Sequence, residues 1–226
     1  MEQQEIIFRN YSIGFMQEAN RIHEELKKLY PEVYCELDYT NNFELLVSVV
    51  LSAQTTDKGV NLVTPKLFEK YPNPHKLAEA SFTDVHSLIK TIGLANTKAR
   101  NIIALSKRLV EEKNGEVPND YDYLVSLPGV GRKTANVVLG EGFRIPTIPV
   151  DTHVLRVSNR LNLANSSDPL KVEQSLMELY DSSLWYELHL RLIHFGRYFC
   201  KAKNPSCEIC PFQNICQYYT KNHPKK

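Results

Sequence analysis

The sequence predicts an all-α fold, and three observations carry that expectation. Apolar residues recur at i, i+3, i+4 and i+7 in nearly every segment, no stretch alternates as a half-buried strand would, and caps and stops bracket the periodic runs. The runs cover 13–30, 42–52, 57–71, 82–91 and 97–113, then 121–126, 132–142, 152–161, 169–180 and 184–199. Asn41, Asn96, Asp120 and Asp151 each precede a run, where a side-chain oxygen can accept from the unpaired amides of a first turn. Gly93, Gly115 and Gly142 fall where helices should stop. The link RIPTIPV at 144–150 is β-branched and proline-rich, so it reads as extended and marks a lobe boundary. No solenoid-length repeat and no low-complexity tract interrupts this pattern.

The 226 residues, 42% of them hydrophobic, supply a real core for one compact body or two modest lobes. The opening MEQQEIIFRN carries acids and no apolar stretch behind a basic start, unlike a secretory signal. FELLVSVVLSA is broken by Glu44 and falls short of the ~20 apolar residues that span a bilayer. The expectation is a soluble protein with no membrane partner, in a prokaryotic cytoplasm.

A net charge of +1 discriminates little, but its distribution does more. Between Val85 and Val110 lie Lys90, Lys98, Arg100, Lys107 and Arg108 with no acid, and from Arg191 onward seven Lys or Arg face Glu208 alone. That asymmetry suits a protein with one DNA-facing side, although charge runs also occur as merely solvated faces.

Cys200, Cys207, Cys210 and Cys216 form a C-x6-C-x2-C-x5-C pattern inside the basic C-terminal segment. Four thiols in so short a loop of an intracellular protein point to one metal centre rather than to disulfides. The spacing does not choose between zinc and an iron-sulfur cluster, since four thiolates suit either. Cys35 stands apart in sequence and reads as small core filler.

The segment LPGVGRKTANVVL at 127–139, preceded by YDYLVS, reads as helix, tight turn, helix. Gly129 and Gly131 permit a sharp turn whose amides, with those of the second helix's N-terminus, can cradle a phosphate. Such a helix-hairpin-helix grips the DNA backbone without reading sequence. Lys133 falls in the first turn of the second helix, where the macrodipole disfavours a cation. The same field, with partial burial, favours the free amine that a Schiff-base nucleophile needs, while simple phosphate neutralisation beside Arg132 is the competing role. Asp151 in VDTHVLRV is placed to cap the next helix, and its carboxylate can also assist proton transfer or stabilise a cationic sugar. Lys201 and Lys203, between the first two clustered cysteines, make that loop a further candidate DNA contact.

Together, LSAQTTD at 51–57, IGLANTKARNI at 92–102, LPGVGRKTANVVL, VDTH at 150–153 and FGRYFC at 195–200, leading into the cysteines, resemble the endonuclease III family of bifunctional DNA glycosylases. The likeness runs in order from about Phe43 to Cys216. It implies a two-lobed helix-hairpin-helix glycosylase fold, with a six-helix barrel at 35–146 that includes the hairpin at about 121–142. The second lobe, 1–34 with 147–226, would hold a 4Fe-4S cluster on Cys200, Cys207, Cys210 and Cys216, and DNA would bind in the cleft between lobes. Lys133 is then the nucleophile at C1′ and Asp151 its helper, in a reaction that releases oxidised or ring-saturated pyrimidines and nicks the strand by β-elimination. The resemblance also implies that Gln54 and Leu94 enter the duplex beside a flipped base, that Gly129, Val130, Gly131 and Arg132 hold the backbone, and that the enzyme acts as a monomer on double-stranded DNA bearing damaged bases or abasic sites.

Three positions depart from the family's frequent pattern. Phe195 stands where a histidine often precedes GRY, with His194 one place earlier; Asn42 replaces a frequent proline and Thr55 a frequent alanine. The rival readings are a mismatch- or adenine-specific glycosylase of the same superfamily, which Lys133 opposes, and a non-catalytic cluster-bearing DNA-binding module.

Overall fold

The computed structural model describes residues 12–222 and, among them, contains helices and no strand. The acidic opening stretch and the terminal lysines 225 and 226 lie outside the described residues. The chain divides into two compact units: one spans 35–145, and the other joins the residues up to Tyr34 to those from Pro146 onward.

The contiguous unit is built around α2 (Asn42–Leu51), in which every residue from Phe43 to Leu51 except Glu44 is buried. A helix apolar on all sides belongs at the centre of a bundle, and α2 is wrapped by its neighbours accordingly. Asn41 caps it by accepting from the Glu44 amide, while the Glu44 carboxylate accepts from the Thr40 amide at 2.7 Å. Around it lie α3 (Asp57–Lys70), α4 (Pro74–Ala78), α5 (Phe82–Ile89), α6 (Ala95–Lys113), α7 (Tyr121–Ser126) and α8 (Arg132–Val137), which runs on into a π-helical turn at Val138–Gly142. The short α4 has no apolar periodicity of its own; Asn73 caps it, Pro74 opens it, and Leu77 fastens it against α6. Asn96, expected as a cap, lies inside α6 instead. The helix starts two residues early because Leu94 adopts a left-handed backbone (φ 60°) and its carbonyl already accepts from the Lys98 amide at 3.0 Å.

The discontinuous unit packs α1 (Ile13–Leu29) with α9 (Thr152–Arg160), α10 (Pro169–Leu179), α11 (Trp185–His194) and α12 (Gln217–Asn222). Ala19, Ile22 and Leu26 of α1 share one core with Val154, Val157, Leu176, Leu188 and Leu192. Two polar contacts fasten α1 there: the Tyr180 hydroxyl donates to the Ala19 carbonyl at 2.8 Å, and Arg191, 3% exposed at its side chain, donates to the Tyr30 and Pro31 carbonyls. After α11 the chain takes a π-helical turn, Phe195–Phe199, and delivers Cys200.

Candidate active site and cluster loop

In the hairpin between α7 and α8, the two glycines do different work. Gly129 is left-handed (φ 79°), and a Cβ there would stand 2.7 Å from Nδ2 of Asn101, so both backbone and space call for glycine. Gly131 has an ordinary extended backbone, and a Cβ on it would meet nothing within 4 Å. Its smallness leaves the start of α8 uncovered, and no side chain caps that helix. Arg108 donates to the Ser126 carbonyl at 2.6 Å and ties the hairpin to α6. Arg132 is exposed and donates to the Tyr121 hydroxyl at 3.0 Å. Val130 is buried in the core of this unit, so only its backbone can reach a phosphate.

Lys133, half-buried, follows in the first turn of α8. Its charge is felt at Cys35, together with those of Glu141 and Asp57, which places four polar groups in one region of the unit. Burial pushes the Cys35 thiol up to about 11, so it stays protonated and inert. Tyr39 donates a short hydrogen bond to Glu141 in the π-helical turn after α8. No motif marks this Cys35, Tyr39 and Glu141 cluster, because a hydroxyl at 39 and a carboxylate at 141 meet only through the fold.

Gln54 and Leu94 stand at the tips of two turns of the same unit, both exposed and both left-handed, with φ 54° and 60°. A non-glycine residue pays about 1–2 kcal/mol for that backbone. Leu94 is 54% exposed, so burial does not offset the cost.

In the other unit, Asp151 caps α9: one carboxylate oxygen accepts from the His153 and Val154 amides, both at 2.8 Å. The same helix reaches the cluster loop. Arg156 donates to the carbonyls of Gly196 at 2.7 Å and Cys200 at 3.2 Å, and Arg160 donates to Sγ of Cys200 at 3.2 Å and to the Lys201 carbonyl at 2.8 Å. Gly196 lets the π-helical turn approach this helix, since a Cβ would lie 2.9 Å from that of His153. Burial lowers the pKa of His153, so its ring is neutral at pH 7.

All four cysteines line one pocket, with Leu161, Phe195, Phe199 and Tyr219 among its walls. Phe195, stacked on Phe199 and edge-on to Phe212, is therefore an apolar wall of the cysteine pocket. His194 points elsewhere: its Nδ1 bonds the Leu190 carbonyl at 2.8 Å and its ring packs among Tyr30, Tyr34 and Tyr198. Burial and the neighbouring thiolates push Cys207 up, and burial drives Cys210 to about 11, so the thiols need a cationic partner to ionise together. Among the described residues no three His, Cys, Asp or Glu side chains converge on a single metal ion. Four thiols lining one pocket are the ligand set that an iron-sulfur cluster takes. Lys201 and Lys203 are exposed on the loop that follows Cys200. Among the described residues no helix is long and apolar enough to cross a membrane.

Residues 47–182 match the HhH-GPD superfamily of base excision DNA repair proteins, and residues 200–216 match the iron-sulfur binding domain of endonuclease III. The chain is 49% identical to endonuclease III of Rickettsia conorii over 201 residues, 89% of this chain and 96% of that protein. It superposes on a structure of a trapped endonuclease III-DNA covalent intermediate with a TM-score of 0.89 at 47% identity, covering 92% of this chain and 98% of that one. A non-covalent endonuclease III-DNA complex gives a TM-score of 0.90 at 47% identity, covering 93% and 99%.

Proposed function

The chain belongs to the HhH-GPD superfamily of base excision DNA repair proteins, and we propose that Lys133 and Asp151 carry its DNA glycosylase and abasic-site lyase chemistry. The observation that supports this most is the lysine in the first turn of an uncapped helix, directly after the turn that presents backbone amides. The field of a helix N-terminus favours anions, so stability does not account for a lysine there, and a chemical role for its amine does. The amine attacks C1′ of the damaged deoxynucleoside; the glycosidic bond breaks, and the base leaves with its electron pair and takes up a proton. Ring opening converts the new C–N bond into a Schiff base. Loss of a C2′ proton then expels the 3′ phosphate as leaving group, and water releases the sugar fragment from Lys133. The Asp151 carboxylate, held by two amides, stabilises the cationic sugar and assists the proton transfers.

The 4Fe-4S cluster, held by Cys200, Cys207, Cys210 and Cys216, supplies covalent cross-links that shape the basic loop carrying Lys201 and Lys203. The substrate in this reading is double-stranded DNA with oxidised or ring-saturated pyrimidines, and the enzyme acts as a cytoplasmic monomer. Gly129 to Arg132 hold the backbone, while Gln54 and Leu94 enter the duplex.

Borohydride reduction during reaction with an abasic duplex tests the assignment. The wild-type protein should yield a covalent adduct and Lys133→Gln none, with folding and duplex binding retained. An adduct formed by Lys133→Gln at the wild-type rate makes another amine the nucleophile.

A further inference from the structure

Lys98 is 4% exposed, and among the described residues its ammonium has one hydrogen-bond partner, the hydroxyl of Thr55 at 2.8 Å. Burial lowers its pKa, and among the described residues no carboxylate pairs with it. A buried cation facing a neutral hydroxyl is not explained by stability, since an apolar chain of the same length would spare the desolvation. Its position supplies another reason. The Lys98 amide donates to the Leu94 carbonyl at 3.0 Å, closing the turn that exposes Leu94, while its Nζ reaches the residue next to Gln54. The two turns also touch directly, because a Cβ on Gly93 would sit 3.6 Å from the Gln54 carbonyl oxygen. Both tips hold left-handed backbones that an isolated loop would relax.

We propose that Lys98 is a positioning residue that fastens the Gln54 turn to the Leu94 turn, so that the two tips enter the duplex as one rigid wedge. The inference rests on the reading that these tips insert on base extrusion. It gives Thr55, at a place where the family often has alanine, the role of receiving the fastening bond. A rigid pair of tips breaks stacking without first having to order itself on the DNA, and that matters only where stacking must be broken.

The test measures single-turnover processing of thymine glycol in a full duplex and in the same strand opposite a gap, and takes the ratio of the two rates. Thr55→Ala and Lys98→Met should each lower the ratio about tenfold, and the double variant should lower it no further, because both remove one bond. Thermal stability of Lys98→Met should hold or rise. An unchanged ratio in Thr55→Ala, a variant that removes the part-buried hydroxyl together with its neighbouring methyl, overturns the proposal even if Lys98→Met fails to fold. Additive losses overturn it too, as does a salt slope reduced by about one phosphate in Lys98→Met, which would make the ammonium a DNA ligand instead. Leu94→Ala separates the two levels. If it leaves the ratio unchanged, insertion itself is refuted; if it lowers the ratio while Thr55→Ala does not, only the fastening is.

Discussion

Arg160 donates from Nη1 to Sγ of Cys200 at 3.2 Å, and its guanidinium lies 3.9 Å from the ring centroid of Tyr218. One side chain thereby binds the Cys200 sulfur, the carbonyls of Lys201 and Ala202, and an aromatic face. Arg160→Met should remove bonds worth about 0.5–1.5 kcal/mol each, since water can reach the exposed carbonyls, and iron should be lost severalfold faster to a chelator. Arg160→Lys should rescue little, because an ammonium cannot serve these partners in one plane. Iron content followed over time in chelator checks both.

The two hairpin glycines should separate stability from binding. Gly129→Ala forces a side chain into a left-handed backbone and against Asn101, and should destabilise by about 1–3 kcal/mol. Gly131→Ala meets neither obstacle, so its melting temperature should stay close to wild type while a methyl over the start of α8 weakens duplex binding. Calorimetry alongside binding to undamaged duplex distinguishes them.

Asp151→Asn keeps an acceptor for the His153 and Val154 amides, whereas Asp151→Ala removes it. The alanine variant should lose about 1 kcal/mol of stability and the asparagine variant much less, with base release slowed in both. Equal turnover in Asp151→Asn and wild type would leave the carboxylate with a capping role alone.

His23 is buried and among the described residues its Nδ1 has no hydrogen-bond partner; burial first, and then Arg191, lower its pKa below 6.5. The folded state thus resists a proton that the unfolded chain accepts. The unfolded state binds more protons as pH falls below about 6.5, so stability declines on acidification through that value. Arg191 and Lys27 oppose the proton and Glu24 and Glu187 favour it, which leaves the direction to burial. His23→Leu should flatten the stability profile between about pH 7 and pH 5 and raise stability at the acidic end. Urea denaturation across that range measures it.

The sequence displayed those parts of the molecule that depend on neighbours along the chain. The caps Asn41, Asp120 and Asp151 are of this kind, since each side chain bonds amides two or three residues on. Asn96 misled because the backbone at Leu94, not a side chain, opens α6. The helices α4 and α12 were not visible in apolar periodicity: α4 has five residues, too few to show a stripe, and α12 buries none of its own. The displacement of histidine from 195 to 194 became intelligible only in three dimensions, where the earlier position faces three tyrosines and the later one faces the cysteines. Thr55 looked incidental for the same reason, as its partner lies 43 residues away.

The divided make-up of the second unit also sets a timetable. The helix carrying Ala19 leaves the ribosome early, but Tyr180, which bonds it, is made 161 residues later, an interval of about 8–32 s at ordinary rates of synthesis. The contiguous unit is completed within that wait, whereas Ile22 and Leu26 have no core to enter until the residues from Ile148 onward emerge. A nascent chain therefore displays the apolar face of an amphipathic helix for much of its translation, which makes α1 the segment on which a holding chaperone would act and the last to find its place.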